Sequence, residues 1–346
     1  MLARWLLIVA FVLGIAAPAV EMKLHLFASP LDTEKRQRAP FPRLTGPDLE
    51  AFPRGFDAWF RDAFGFREEL IRRHSIVKVK WLRQSPVRNV IIGDEGWLFY
   101  AGYGDGADIS DFQGKAPLSD AQLDARRLAI EARAEALRAR GIAYLFVVAP
   151  NKHSVYPELL PARIGERRPG NRLDQFVGYM RSRSSVPVVD LRDAMVVARR
   201  ESREPLYYRT DTHWNGRGAF VGYEAVIRAA QTLIPGLAVV GLQDFIVTAS
   251  PKLGGDLADM LSMHDDWSDV EYRLTLKEGA PSPAPLRVAV LGDSFAHGLT
   301  TYLQASFRDV VSLHVAQHGA FDADKNAAQK PALLTDERVE RYLTDW

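Results

Sequence analysis

A serine that follows an apolar run is the first residue of this chain that could do chemistry. Ser294 stands in Gly292-Asp293-Ser294-Phe295, after the run from Arg287 to Leu291 and before a helix that we expect to begin near His297. In a strand-to-helix turn the serine hydroxyl projects over the sheet edge, where backbone amides at the helix start can hold a developing oxyanion. Gly292 leaves room there for a substrate or for the turn itself. We therefore predict a nucleophile at Ser294, although Gly-Asp-Ser is also ordinary turn chemistry.

The segment Asp211-Thr212-His213-Trp214-Asn215 offers the other groups that serine catalysis requires. A serine hydroxyl needs a base within hydrogen-bond reach, and that imidazole needs a carboxylate to fix its tautomer. Residues two apart in an extended chain point to the same side, so Asp211 and His213 can share one face. A simpler interpretation of the pair alone is that Asp211 caps the following helix and His213 is an ordinary loop histidine. Because both motifs precede helices in one chain, we predict a triad in which His213 is the base and Asp211 orients it.

Four further side chains are candidates for holding an oxyanion or a substrate. Asn151 and Lys152 follow the apolar run that ends at Ala149. Asn151 could donate its amide to an oxyanion, and Lys152 could bind the carboxylate or hydroxyls of a substrate. Tyr208 and Arg209 lead into the aspartate–histidine segment and could line a sugar cleft. Ordinary turn residues explain the first pair equally well, and a strand edge explains the second.

Composition excludes several other classes of function. The 346 residues include no cysteine, which excludes thiol catalysis, disulfides and cysteine-ligated metals. With 44 basic and 43 acidic residues the net charge is +1, so we expect no nucleic-acid partner. Two histidine sets lack a familiar zinc spacing, and we predict no metal site and no cofactor. These sets are His297 with His314 and His318, and His264 with Asp265 and Asp266.

The elements that must position these residues alternate between strand and helix. Ser119 and Gln122 have the spacing of a capping box, and Gly141 stands where a helix C-terminal glycine would. The expected strands are Ala143 to Ala149, Val186 to Leu191, Arg287 to Leu291 and Val310 to Val315. The expected helices are 119 to 140, Arg172 to Arg183, Arg217 to Leu233 and Glu337 to Leu343. This alternation predicts an α/β fold whose parallel sheet has helices on both faces and a site beyond the carboxyl ends of the strands.

The region before residue 103 has a different character. Residues 28 to 55 are rich in proline and basic residues and read as a tether, while aromatic residues spaced three and four apart predict an amphipathic helix over 56 to 82. Residues 89 to 92 and 97 to 100 predict a β-hairpin, which a glycine-rich loop at 102 to 106 follows. We therefore divide the chain into residues 1–27, a tether with a helix at 28–85, and a catalytic domain at 86–346.

The N-terminal segment is apolar without interruption from Trp5 to Val20. It is either a retained membrane anchor or a signal peptide, for which Ala17-Pro18-Ala19 would be the cleavage pattern. Arg4 before the run should stay cytoplasmic by the positive-inside tendency. Both alternatives place the remainder of the chain outside the cytoplasm.

The residues described so far resemble the SGNH-hydrolase-like family of alginate O-acetylation proteins, which are periplasmic enzymes that acetylate bacterial exopolysaccharides. The likeness runs from about residue 96 towards the last residues, where Val339 to Leu343 is also similar to the family. Four stretches carry it, namely Gly96-Trp97-Leu98-Phe99-Tyr100, Pro150-Asn151-Lys152-His153 with Tyr156-Pro157, Asp211 to Asn215, and Gly292 to Phe295.

The resemblance implies an SGNH-hydrolase-like (flavodoxin-like) fold with Ser294 as nucleophile, His213 as base and Asp211 as orienter. Ordinary SGNH esterases carry the serine block first, but triads are defined by geometry and not by chain order. The resemblance also implies a polysaccharide substrate and a multi-pass acyltransferase of the inner membrane that hands over acetyl groups. A small ester is the alternative donor. With water as acceptor the same residues would make an esterase, and a non-catalytic polysaccharide-binding scaffold is a further alternative.

Overall fold

The computed structural model describes residues 2–24, 37–44, 50–102, 107–314 and 321–344. The chain forms two compact units, one of residues 1–87 with 258–264 and the other of residues 88–257 with 265–346. Parts of the predicted tether (28–36 and 45–49), most of the predicted glycine-rich loop (103–106) and His318 lie outside the described residues. The three-part division made from the sequence stays a prediction.

The first unit contains the apolar N-terminal segment as helix α1 (Leu2–Leu24). Within the described residues it is the one helix long and apolar enough to cross a membrane, with a mean hydropathy of 2.1 over its most apolar stretch. Only 6% of that stretch is buried. Long apolar helices that stay this exposed are typical of anchors and of signal sequences.

The predicted helix over residues 56 to 82 is two helices and a final π-helical turn. These are α2 (Phe52–Ala63), α3 (Arg67–Ile76) and the turn Val77–Trp81. The helical path breaks at Gly65, where an added Cβ would lie 2.2 Å from the Pro18 carbonyl oxygen of α1. The break itself lies in the backbone of the flanking residues, since Phe64 is extended and Phe66 is left-handed with a φ of 62°.

The second unit is built on a five-stranded parallel sheet with the strand order β4-β3-β9-β7-β8. The predicted parallel α/β fold is therefore confirmed. Its strands are β3 (Ala143–Ala149), β4 (Val188–Asp190), β7 (Ala284–Gly292), β8 (Phe307–His314) and β9 (Leu333–Val339).

Helices cover both faces of this sheet, as they must because its strands carry buried apolar residues on both faces. Leu145 and Val147 of β3 face the core beneath α8 (Arg192–Glu201), α9 (Gly216–Ala230) and α11 (Ala296–Leu303). Phe146 and Val148 face the opposite core beneath α5 (Asp120–Arg138) and α7 (Arg172–Arg183). The expected capping box at the start of α5 is present.

The described residues also include two antiparallel hairpins and four short helices, of which the helix at Asp256–Met260 crosses the boundary between the two units. The predicted hairpin consists of β1 (Val90–Ile92) and β2 (Leu98–Tyr100). A second hairpin, which sequence reasoning missed, pairs β5 (Phe245–Leu253) with β6 (Ser268–Leu276). The short helices are α4 (Ala107–Phe112), α6 (Lys152–Val155), α10 (Asp256–Met260) and α12 (Ala323–Ala327).

The prediction of a helix from Glu337 to Leu343 is wrong. These residues end the central strand β9, and a 3-10 turn follows at Glu340–Thr344. Asp336, Glu337 and Arg338 of this strand are charged residues, and all three are buried. Asp336, which has no exposed surface, accepts hydrogen bonds from Arg133 and Tyr144 and pairs with Arg338.

Candidate active site

Ser294 lies in the turn between β7 and α11, beyond the carboxyl end of β7, and its side chain is exposed. Asp293 stabilises this turn, because its carboxylate accepts from the Phe295 amide at 2.9 Å and from the Val339 amide of β9 at 2.8 Å. An added Cβ at Gly292 would lie 2.5 Å from the Ala296 Cβ. Gly292 is therefore required for the close approach of strand and helix. Its predicted role at an oxyanion or a substrate stays a prediction.

The aspartate–histidine segment forms a bent loop whose two ends are joined. Tyr207 and Trp214 form an antiparallel bridge, and the Tyr208 amide donates to the His213 carbonyl at 3.2 Å. Asn215 caps α9, because its side chain accepts from two amides of the first helical turn. The alternative in which Asp211 caps this helix is therefore wrong.

The structure brings Asp211, His213 and Ser294 together in one hydrogen-bonded chain. The His213 Nδ1 lies 2.6 Å from Asp211 Oδ1, and its Nε2 lies 2.8 Å from Ser294 Oγ. Because a carboxylate only accepts, Nδ1 carries the proton and Nε2 accepts from the serine hydroxyl. The buried Phe295 ring packs against the imidazole at 4.9 Å and holds its orientation. This is the arrangement in which a histidine can remove a proton from serine.

The Asp211 carboxylate is held in its charged form. Burial alone would raise its pKa, but the hydrogen bonds from His213 and from the Asp256 amide outweigh burial and keep the pKa well below its usual range. Asp211 Oδ1 also accepts from the His213 amide at 3.0 Å, and Oδ2 accepts from the Asp256 amide at 3.1 Å. Three hydrogen bonds thus hold the carboxylate against the imidazole.

A second carboxylate, that of Asp256, was missed by sequence reasoning. Its Oδ2 lies 3.7 Å from His213 Nδ1, whereas Asp211 Oδ1 lies 2.6 Å from the same atom. The two Asp256 oxygens accept hydrogen bonds from the amide and the hydroxyl of Thr212. Burial and the negative charge of Asp211 raise the pKa of Asp256. Gly255 lies so close to Asp211 that an added Cβ would be 2.3 Å from its Cβ. The only sequence signal was Gly-Gly-Asp in a loop, which is too common to indicate a site.

Lys152 does not lie where a substrate-binding cation would. It is 4% exposed, and its ammonium donates to the carbonyls of Tyr208, Arg209 and Asp211 at 3.0, 3.1 and 2.7 Å. Burial lowers its pKa to about 7, and the neighbouring carboxylates oppose this shift. An ammonium has three N–H donors, and all three are directed into the loop. The prediction that Lys152 binds substrate is therefore replaced by a role in shaping the loop that carries Asp211.

The other candidates differ in where the structure places them. Asn151 is buried, and its Oδ1 accepts from Arg341, whose guanidinium lies 5.2 Å from the Phe295 ring centre. Its role at an oxyanion stays a prediction. Tyr208 donates its hydroxyl to Glu271, and Arg209 donates to the Ser268 carbonyl at 3.0 Å. Both side chains are thus joined to the β6 side of the loop, and their contact with sugar stays a prediction.

Among the described residues, one group of side chains has the spacing that a cation would need. The candidate ligand atoms of Asp211, His213 and Asp256 lie within 4.8 Å of one another. Both ring nitrogens of His213 already have hydrogen-bond partners in Asp211 and Ser294. This is the geometry of a base between an orienting acid and a nucleophile, so we propose no metal there.

Glu340 links the last turn to the loop after β3. Its oxygens accept from the Asn151 amide at 2.8 Å and the Ser154 hydroxyl at 3.0 Å. Burial raises its pKa from 4.5 to about 7, and these two hydrogen bonds oppose the shift. The folded protein therefore holds a proton on Glu340 at pH values where the unfolded chain has released it.

We expect the free energy of unfolding to fall as the pH rises from about 4.5 to about 7, by up to about 3 kcal/mol from Glu340 alone. In Glu340→Gln this contribution should vanish, because the amide copies a protonated carboxyl: its oxygen accepts from Asn151 and its NH₂ donates to Ser154. Urea unfolding of both proteins between pH 5 and pH 8 measures the difference. Parallel pH dependences of the two would contradict the assignment.

Comparison with known proteins identifies relatives of this chain. Residues 90–337 match the family described as the SGNH hydrolase-like domain of acetyltransferase AlgX. The probable alginate O-acetylase AlgJ of Pseudomonas putida is 27% identical over 287 residues, covering 73% of this chain and 70% of that protein. The corresponding protein of Pseudomonas aeruginosa is 28% identical over 131 residues, which are 38% of this chain and 30% of that protein.

Solved structures agree with this comparison. The O-acetyltransferase domain of Pseudomonas putida AlgJ is 26% identical, with a TM-score of 0.53, and the match covers 74% of this chain and 92% of that domain. Bacillus cereus PatB1 has a TM-score of 0.53 over 74% of this chain and 97% of its own, but at 15% identity it shows the fold alone. The resemblance inferred from the four motifs is confirmed, and the chain belongs to the SGNH hydrolase-like family of acetyltransferase AlgX.

Proposed function

We propose that this protein is an O-acetyltransferase that acetylates hydroxyl groups of a bacterial exopolysaccharide through an acetyl-serine intermediate. The observation that carries the proposal is the hydrogen-bonded chain from Asp211 through His213 to the exposed Ser294. Family membership and the likeness to AlgJ, a probable alginate O-acetylase, support acetyl transfer to a polysaccharide.

The proposed reaction has two halves that use the same proton carrier. First, His213 Nε2 takes the proton of Ser294 while Oγ forms a bond to the acetyl carbonyl of the donor. The bond to the donor's leaving group then breaks, and His213 gives the proton to that group. Next, a sugar hydroxyl attacks the acetyl-serine, His213 takes the sugar's proton, and the returning Ser294 Oγ receives it. Each half leaves His213 neutral, and Asp211 stabilises the charged imidazolium between the steps.

We further propose that the enzyme works in the periplasm, held at the inner membrane by α1. The apolar character of α1 and Arg4 at its start support this orientation. The acetyl donor would be a multi-pass membrane acyltransferase or a small ester. Both donors would present the same acetyl carbonyl to Ser294.

Supplying the purified full chain with an activated acetyl ester tests the direction of acetyl flow. The reaction is run with and without an unacetylated acidic exopolysaccharide, while acetate release and sugar ester are followed by NMR. A transferase should form sugar ester faster than it releases acetate. Acetate release at one rate with or without the polysaccharide would indicate an esterase, and polysaccharide binding with neither product would indicate a scaffold.

A further inference from the structure

The first unit carries a row of exposed aromatic side chains, which we call the aromatic stripe. Phe52, Phe56 and Phe60 are spaced four apart on α2, and their neighbouring rings stack with centroids 6.0 Å apart. Phe41 packs edge-on against Phe52 and Phe56. Phe41, Phe56 and Phe60 remain 55%, 39% and 41% exposed. Contiguous apolar surface of this kind marks a surface that meets another apolar medium.

Helix α2 is strongly amphipathic around this stripe. Arg54, Asp57 and Arg61 recur on the side opposite Phe56, and Asp57 pairs with Arg61 four residues later. None of its twelve residues is buried. Gly55, Ala58 and Trp59 form a neighbouring face of α2 that is half-buried within the unit. Phe56 and Phe60 stay exposed beside it, so this apolar stripe calls for an external partner.

The contact between Gly65 and α1 indicates what that partner is. Gly65 stands two residues after the end of α2 and lies against Pro18 and Glu21 in the last turns of α1. The apolar run of α1 ends at Val20, and Glu21 is the first charged residue after it, so if α1 enters a bilayer at Arg4, Pro18 and Glu21 lie near the outer boundary of the hydrocarbon. The end of α2 is therefore held beside α1 at the depth where aromatic side chains are enriched in membrane proteins.

We propose that the aromatic stripe of α2 lies in the headgroup region of the same bilayer that α1 enters, as an interfacial helix. This inference rests on the proposed membrane attachment of α1. Aromatic rings suit that depth because their apolar bodies leave water while the charged side of the helix stays hydrated. The first unit would then bind the membrane at two places, through the spanning helix α1 and the surface helix α2.

The absence of cysteine from the sequence allows a direct test with single-cysteine variants. The full chain carrying Phe60→Cys, labelled with an environment-sensitive fluorophore, is reconstituted in vesicles of phosphatidylethanolamine and phosphatidylglycerol at three to one. Arg54→Cys is the matched control on the opposite side of α2. Leu13→Cys reports α1, and Val197→Cys, which replaces a side chain 53% exposed on α8, reports the second unit.

Lipids carrying a nitroxide near the headgroup should quench the Phe60 label several-fold more than the Arg54 or Val197 labels. Nitroxides deep in the acyl chain should quench the Leu13 label most. Quenching of Leu13 together with a Phe60 signal equal to that of Arg54 would overturn the inference and leave membrane attachment standing. A Leu13 label that no lipid quenches would overturn both. A blue-shifted Phe60 label without lipid quenching would indicate a protein partner, such as a second copy, and would also overturn the inference.

Discussion

Ser294→Ala should lower the rate of acetyl transfer to polysaccharide by about 10⁴-fold to 10⁶-fold, the loss that follows removal of a nucleophile in other serine triads. The variant keeps the turn, because Asp293 makes its hydrogen bonds to Phe295 and Val339 without the serine hydroxyl. It loses only the atom that would carry the acetyl group. Sugar ester formed per unit time, measured by mass spectrometry, gives the loss directly.

Thr300→Ala is the matched control for this substitution. Thr300 lies on α11, the helix that follows the Ser294 turn, and its hydroxyl donates to the His297 carbonyl at 2.8 Å. We expect the control to keep its rate, because the hydrogen bonds that join Asp211, His213 and Ser294 do not involve Thr300. Intact mass after exposure to an activated acetyl ester should show one added acetyl group in wild type and in Thr300→Ala, and none in Ser294→Ala. An added acetyl group on the Ser294→Ala protein would refute the acetyl-serine intermediate.

Asp211→Asn should lower the rate by about 10³-fold to 10⁴-fold, as loss of the orienting acid does in other triads. Asp211 accepts from the His213 amide, from His213 Nδ1 and from the Asp256 amide. An asparagine would place an NH₂ group against at least one of these donors. The simplest relief moves the imidazole proton to Nε2, and His213 can then no longer accept from Ser294.

The same substitution at Asp256 should cost less than about 10-fold. The Asp256 oxygens accept from the amide and the hydroxyl of Thr212, and an asparagine can keep the first bond and reverse the second. Rates for both variants across a pH series, with circular dichroism to confirm folding, separate the two carboxylates. Equal losses at both positions would show that Asp256 shares the role assigned to Asp211.

Sequence reasoning identified the parallel sheet and most of its elements because apolar runs of strand length are hard to mistake. It failed at β9 because Asp336, Glu337 and Arg338 are charged residues that are buried at the centre of the sheet. Burial of charge requires partners such as Arg133 that lie far away in the chain, and no local pattern reveals them. The second hairpin escaped for a related reason, since six consecutive residues of β5 are exposed and show no apolar alternation.

In the candidate site, too, the sequence predicted the local features and missed those that depend on distant contacts. The sequence predicted that Asp211 and His213 would meet, but it assumed an extended chain. In the structure they meet across a bent loop, where one carboxylate oxygen accepts from both the amide and the ring of the residue two places on. The shape of this loop depends on Lys152 and Asp256, which come from other segments of the chain. The sequence motifs located the reacting groups. The residues that hold them in place are distant in the chain, so only the structure reveals them.

The position of β9 has a consequence for how the protein is made. This strand follows every other strand of the sheet in the chain, yet it lies between β3 and β7. Until it has been synthesised, the two halves of the sheet have no common neighbour, and two inner edges stay open to pairing with other chains. The nucleophile turn is equally incomplete, because Val339 and Glu337 hold Asp293 from the far side. A nascent chain that stops short of β9 should therefore be both inactive and prone to aggregate, and the enzyme gains its chemistry and its solubility in one late folding step.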